Sequence, residues 1–221
     1  MQAVFWTTAG LLCLAPGLSS AQRPRPCRSP LLYTGSFTVG TQNENLWAVG
    51  NYAYDAVNQR IYLGEVGRYN NNSLIYNVLF LFEEGVVYVI NPQNQTCVKM
   101  ALQSDFHPME VPKDADFVSQ VVLGSNSSPG QGLLVNNWRG DIPFVTDHYL
   151  VSFTELGCFP VLMLIQMKDF SYPNEEWVSL SYYDNILGAD PNCFIPPPFC
   201  EDATLVENED GKVTNFFSVF H

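Results

Sequence analysis

The stretch Leu74-Ile75-Tyr76-Asn77-Val78-Leu79-Phe80-Leu81-Phe82-Glu83-Glu84-Gly85-Val86-Val87-Tyr88-Val89-Ile90 decides the fold. Two runs rich in β-branched and aromatic residues flank a short acidic turn that ends in glycine. This is the pattern of a β-hairpin, Leu74–Phe82 and Val86–Ile90 about Glu83-Glu84-Gly85. From Val78 to Phe82 every position is apolar, where a strand with one wet face would alternate. Such a strand is expected to be covered on both faces, or to face a core on one side and an apolar cavity on the other. Val161-Leu162-Met163-Leu164-Ile165 repeats the pattern.

Outward from this hairpin the chain reads as a succession of strands: Leu31–Gly40, Leu46–Tyr54, Arg60–Arg68, then Thr96–Leu102, Phe117–Leu123, Leu133–Trp138, Tyr149–Glu155, Phe159–Met167 and Trp177–Tyr183. The 15 Gly and 15 Pro are spread between them, as short strands joined by turns require. No long 3.6-residue period with helix caps is present. The expectation is an all-β protein. Its 221 residues suit one domain, with a hydrophobic share of 47% and only 14% charged residues to argue against disorder. That domain is expected over residues 22–221, with a tail from about residue 201 that is acidic first and aromatic later, at Phe216, Phe217 and Phe220.

Residues 1–21 read as a secretory signal: an apolar run from Val4 to Leu14, a break at Pro16-Gly17, and small residues at Ser19-Ser20-Ala21. No lysine or arginine precedes the run, which is atypical. The run is also shorter than a bilayer span, and no later segment is long enough. Secretion then makes the cysteines interpretable as bridges. There are six, and Cys13 leaves with the signal, so Cys27, Cys97, Cys158, Cys193 and Cys200 remain. An odd number permits two intrachain bridges and one thiol left free or paired to another chain. Three sequons, at Asn71, Asn94 and Asn126, lie in polar turn-like stretches that suit N-glycosylation.

The formal net charge is −12. No basic patch exists to hold a phosphate backbone, which argues against nucleic acid, and no polybasic segment exists to hold an anionic membrane. An acidic surface attracts Ca²⁺ at low affinity without a dedicated site. The acidic run Glu207–Gly211 lacks the residue order of an EF-hand, and no metal ligand set is assignable. The three histidines, His107, His148 and His221, belong to no zinc motif. No nucleophile elbow, P-loop or dinucleotide fingerprint occurs. His148 beside Asp147 reads as a solvated histidine rather than a base. The expectation is a protein without catalytic residues, a cofactor or an enzymatic role.

An ordered series of motifs adds a resemblance. Arg25-Pro26-Cys27, Phe82-Glu83-Glu84-Gly85-Val86-Val87-Tyr88, Asn94-Gln95-Thr96-Cys97-Val98-Lys99, Met109-Glu110-Val111-Pro112, Gly157-Cys158-Phe159-Pro160-Val161 and Phe194-Ile195-Pro196-Pro197-Pro198-Phe199-Cys200-Glu201 together resemble the ependymin family over nearly the whole mature chain. The resemblance implies a partly open antiparallel β-sandwich with an apolar pocket between two sheets, like the folds of bacterial lipoprotein carriers. It implies binding of hydrophobic or lipid ligands, weak Ca²⁺ binding, N-glycans, a homodimer, and a place in the extracellular matrix or at cell–matrix contacts; some relatives are lysosomal. It also implies the bridges Cys27–Cys158 and Cys97–Cys200, each closing a loop of over 100 residues, worth roughly 4–5 kcal/mol in the chain-entropy picture. Cys193 falls outside that framework and becomes the candidate for an intermolecular disulfide. Phe80, Phe82, Tyr88 and Trp177 are candidates to line the pocket. The competing expectation is an adhesion or matrix protein that acts through glycans and acidic surface without a pocket.

Overall fold

The computed structural model describes residues 23–70, 72–102, 104–141, 148–168 and 175–206. The signal segment, Asn71 and the tail beyond residue 206, with its acidic run, its three phenylalanines and His221, lie outside the described residues. Among the described residues, twelve strands form one sheet: β1 Leu32–Thr41, β2 Leu46–Asp55, β3 Arg60–Tyr69, β4 Asn72–Leu81, β5 Val86–Asn91, β6 Thr96–Ala101, β7 Asp116–Gly124, β8 Gly132–Asp141, β9 His148–Thr154, β10 Pro160–Lys168, β11 Glu175–Leu187 and β12 Leu205–Val206. The order is β12-β6-β5-β4-β3-β2-β1-β11-β10-β9-β8-β7. The chain thus makes two antiparallel meanders, β1–β6 and β7–β11, joined edge to edge where β1 pairs with β11. Of these strands only β12 pairs parallel, on β6. The all-β architecture expected from the sequence and the open antiparallel arrangement implied by the resemblance are found, but as one continuous hydrogen-bonded sheet rather than two.

The hairpin turns are local chemistry. Gly85, with φ of 63°, closes the turn between β4 and β5, a left-handed conformation that costs glycine nothing. At the β2–β3 turn, Asp55 accepts from the backbone N–H groups of Val57 and Asn58 and from the Asn58 side chain. The Arg60 guanidinium meets the same carboxylate at 2.5 Å. Burial alone would raise the Asp55 carboxyl; the donors from Asn58 and Arg60 outweigh it and hold the group below its ordinary value.

One connection is not local. β6 and β7 stand ten strand positions apart in the sheet, yet only residues 102–115 join them. A flat sheet with strands ~4.8 Å apart would separate the two by roughly 50 Å, about the full stretch of that segment. The segment is not fully stretched, for it bends back in a turn at Pro112–Ala115. The sheet therefore curls, as open sheets of more than about ten strands do, and the segment crosses its concave face.

The crossing is well anchored. Phe106 stacks on Tyr54 at 5.9 Å and meets Phe82 edge-on at 5.3 Å. Tyr33 donates its hydroxyl to the Met109 sulfur, and the Met109 N–H donates to the Tyr54 hydroxyl. Ser29 and Val111 exchange backbone bonds with Met109 and Cys27. The disulfide Cys27–Cys158, Cα to Cα 6.0 Å, staples this strand-like lead to the β9–β10 turn.

The hairpin of β4 and β5 is covered on both faces. Inward, Val78, Phe80 and Val87 join the main core with Tyr33, Phe37, Val39, Tyr52, Tyr54, Leu63, Leu180 and Tyr182. Outward, Leu79, Leu81, Val86, Tyr88 and Ile90 pack under Phe194 and Cys200. The cover is the segment 189–200, two single 3-10 turns at Pro191–Phe194 and Pro198–Cys200. Its start is capped where the Asp190 carboxylate accepts from the Asn192 N–H, and its end is stapled by the second disulfide, Cys97–Cys200, at a Cα separation of 5.3 Å. Arg60 also lies over the Phe194 ring, 4.5 Å from its centroid. The continuous apolar run read from the sequence thus has a physical cause: one face meets the concave core, the other a disulfide-bound strap.

Candidate functional site

The concave face is the candidate site, and the strand register defines its rows. Nearest the crossing segment lies Tyr33-Tyr54-Ile61-Phe80-Val87. Next comes Gly35-Tyr52-Leu63-Val78-Val89, followed by Tyr182-Phe37-Gly50-Glu65-Tyr76. Beyond that lies Leu180-Val39-Ala48-Gly67-Leu74. The first two rows are sealed by the crossing segment and are fully apolar or hydrogen-bonded. Tyr52 donates to Asn185, whose amide in turn donates to the Pro160 carbonyl. Gly35 is obligatory there, because a Cβ would run into the Tyr52 ring and the Asn185 side chain. Burial raises the Tyr33 and Tyr52 hydroxyls above their ordinary value, so both stay neutral.

The third row departs from this pattern. Glu65 is 5% exposed, a carboxyl in an apolar face. No hydrogen bond or ion pair to it is found among the described residues, and burial alone pushes its pKa up to about 7. The fully sealed side-chain polar atoms without a partner among the described residues are Ser104 Oγ and Trp138 Nε1. The Glu65 oxygens are not among them, so they still touch space that a water or a ligand group can occupy. Gly50 opposite and Gly67 and Ala48 on the next row leave this carboxyl flanked by the smallest residues of the face. Sequence reasoning missed Glu65. The sequence shows only an acidic residue in an alternating strand, and the strand by itself does not reveal that this parity points inward.

The four aromatics expected to line one pocket divide between faces. Phe80 and Phe82 belong to the concave core and stack at 6.0 Å. Tyr88 lies on the opposite face beneath the strap, with the Lys99 ammonium 5.4 Å from its ring. Trp177 is 38% exposed and neighbours the inward Val178 on β11, so it points outward. The correction follows from strand alternation: a residue adjacent to an inward one faces out.

Both disulfides join the cysteines that the resemblance paired, at sequence separations of 131 and 103 residues. Cys193 is a free thiol in the strap. It donates to the Asp190 carbonyl at 2.8 Å, and burial raises its pKa, which lowers the thiolate fraction that exchange chemistry needs. Asn94 sits exposed in the β5–β6 turn and Asn126 exposed in the β7–β8 loop. The latter borders an open cleft of about 470 Å³ walled by Val122, Pro129 and Leu134. His148 pairs across to Asp141 at 2.6 Å, with both side chains mostly in solvent. Such a pair contributes little.

Among the described residues no three His, Cys, Asp or Glu converge as a metal site. No helix among them is long and apolar enough to cross a membrane.

Comparison with known proteins agrees with the architecture. An uncharacterized conserved protein of Thermus thermophilus aligns over 83% of this chain and 91% of its own, with a TM-score of 0.50 at 10% identity, a likeness of fold alone. A LolA superfamily protein of Nitrosomonas europaea aligns over 75% of this chain and 90% of its own with a TM-score of 0.34, too slight to argue from. In sequence, Ependymin-2 of Carassius auratus is 33% identical over 97% of this chain and 99% of its own length. Ependymin of Notemigonus crysoleucas is 32% identical over 95% and 94%. With the Ependymin family model matching residues 70–200 as well, the chain belongs to the ependymin family.

Proposed function

We propose that this protein is a secreted glycoprotein that holds a hydrophobic, lipid-like ligand against the concave face of its sheet, with no catalytic step. The observation that carries the reading is that face: a continuous apolar surface spanning β1–β5 and β11 whose third row carries an unpaired carboxyl. Apolar faces with one well-placed polar group are the usual form of small-molecule sites. The test is solvent extraction of protein purified from secreting cells, followed by mass spectrometry, with uptake of a neutral lipid dye as a second measurement. Co-purifying lipid and saturable dye uptake support the reading; absence of both overturns it.

A role in the extracellular matrix or at cell–matrix contacts is the second part of the proposal. It rests on the exposed sequons at Asn94 and Asn126 and on the net charge of −12, which draws Ca²⁺ weakly to the surface or to acidic glycans. Calcium titration before and after enzymatic deglycosylation distinguishes protein from glycan. A homodimer bridged at Cys193 requires that thiol to leave the Asp190 carbonyl. Non-reducing electrophoresis of Cys193→Ser decides it: a covalent dimer that survives the substitution removes the role.

A further inference from the structure

We propose that Glu65 is the headgroup anchor of the concave face, and that the ligand it selects is a long-chain amphiphile ending in a hydrogen-bond donor, a primary amine foremost. The inference deepens the lipid-binding reading and rests on it for the apolar part of the ligand.

The argument begins with what Glu65 lacks. A carboxylate taken out of water costs several kcal/mol unless it is paired and hydrogen-bonded, and buried polar side chains in folded proteins almost always have partners. Asp55, the other buried carboxylate among the described residues, follows the rule with Arg60, Asn58 and two backbone donors. Glu65 has none of these, although it is nearly as buried. The Tyr182 hydroxyl stands in the same row and is likewise without a hydrogen bond among the described residues. The buried Tyr33, Tyr52 and Tyr54 hydroxyls of the first two rows are all engaged. Glu65 thus stands unpaired past the sealed end of the face, beside Gly50, Gly67 and Ala48.

The chemistry of the row sets the chemistry of the ligand. A carboxylate accepts and does not donate, so it is completed by an ammonium or a hydroxyl and repels a second carboxylate at the same place. Leu74 on the adjoining row, partly exposed, offers the chain of such a ligand an apolar contact.

The experiment compares dodecylamine with laurate, equal in chain length and opposite in charge, by titration calorimetry at pH 8 on the full secreted protein, with Nile red uptake measured alongside. Wild type is expected to bind the amine at least tenfold more tightly than the acid, the scale of a hydrogen bond to a charged group. Glu65→Gln should erase that preference and Glu65→Asp should keep it. Near-UV circular dichroism confirms that each variant is folded. Non-specific attraction of an amine to the acidic surface would persist in Glu65→Gln, so a preference retained by that variant overturns the proposal. Nile red uptake without any amine preference overturns the anchor and leaves the apolar reading standing. Amine binding lost in Glu65→Gln without Nile red uptake does the reverse. Neither ligand binding overturns both.

Discussion

Replacing Glu65 by glutamine should make the protein more stable at neutral pH and no more stable in acid. The Glu65 carboxyl ordinarily titrates at 4.5 and in the folded chain is pushed up to about 7, by burial alone. A raised acid means that the native state holds its proton more tightly than the unfolded state. Between the two values the native state binds more protons, so stability falls as pH rises, and above the higher value the full cost is present. At ~1.4 kcal/mol per unit the cost is about 3 kcal/mol. Glutamine keeps the shape and cannot ionise. The gain of Glu65→Gln over wild type should therefore grow by about 3 kcal/mol between pH 4.5 and pH 8. For a chain of this size that is ~6–12 °C in Tm. The assay is thermal unfolding of both proteins, followed by circular dichroism across that pH range without added lipid. Every other acidic group is common to the two and cancels in the difference. Two Tm curves that run parallel from pH 4.5 to 8 would refute the burial of an unpaired carboxyl.

Three further outcomes follow from the fold. Asp55→Ala leaves the Arg60 charge and two turn N–H groups without their acceptor and should cost about 3–5 kcal/mol by urea denaturation at pH 7. Because the folded Asp55 value is depressed, its contribution is present above the ordinary carboxylate range and is lost as pH falls through the folded value. A penalty unchanged between pH 7 and pH 2.5 would contradict this. Removing the second bridge, as Cys97→Ser with Cys200→Ser, opens a loop of 103 residues and should cost about 4–5 kcal/mol. It should also raise hydrogen exchange at the outward-facing strands β4 and β5, and unaltered protection there would show that the strap holds without its staple. Gly35→Ala drives a methyl into the Tyr52 ring and should lower stability by about 1–3 kcal/mol; a neutral effect on Tm would mean that the ring can move aside.

Much of this protein was legible before folding was considered. Eleven of the twelve strands were marked by β-branched and aromatic runs between turn residues, because alternation and turn chemistry are local properties of the chain. The exception, Leu205–Val206, is two residues long and owes its pairing to the nearby bridge at Cys200. The run Val78–Phe82 announced an apolar environment on both faces, but not whether a cover or a cavity provided it. That depends on a strap more than 100 residues later, whose position is fixed by a disulfide and a cation over a ring. Periodicity also does not say which parity of a strand points inward, and this is why the four candidate aromatics divide between two faces. The sheet order, the curl forced by the short crossing of residues 102–115, and the isolation of Glu65 arise only when distant strands are brought into register. Solvation is the physical reason. An acidic residue in a sequence is an ordinary charge in water, and only the surfaces that close around it decide whether it remains one.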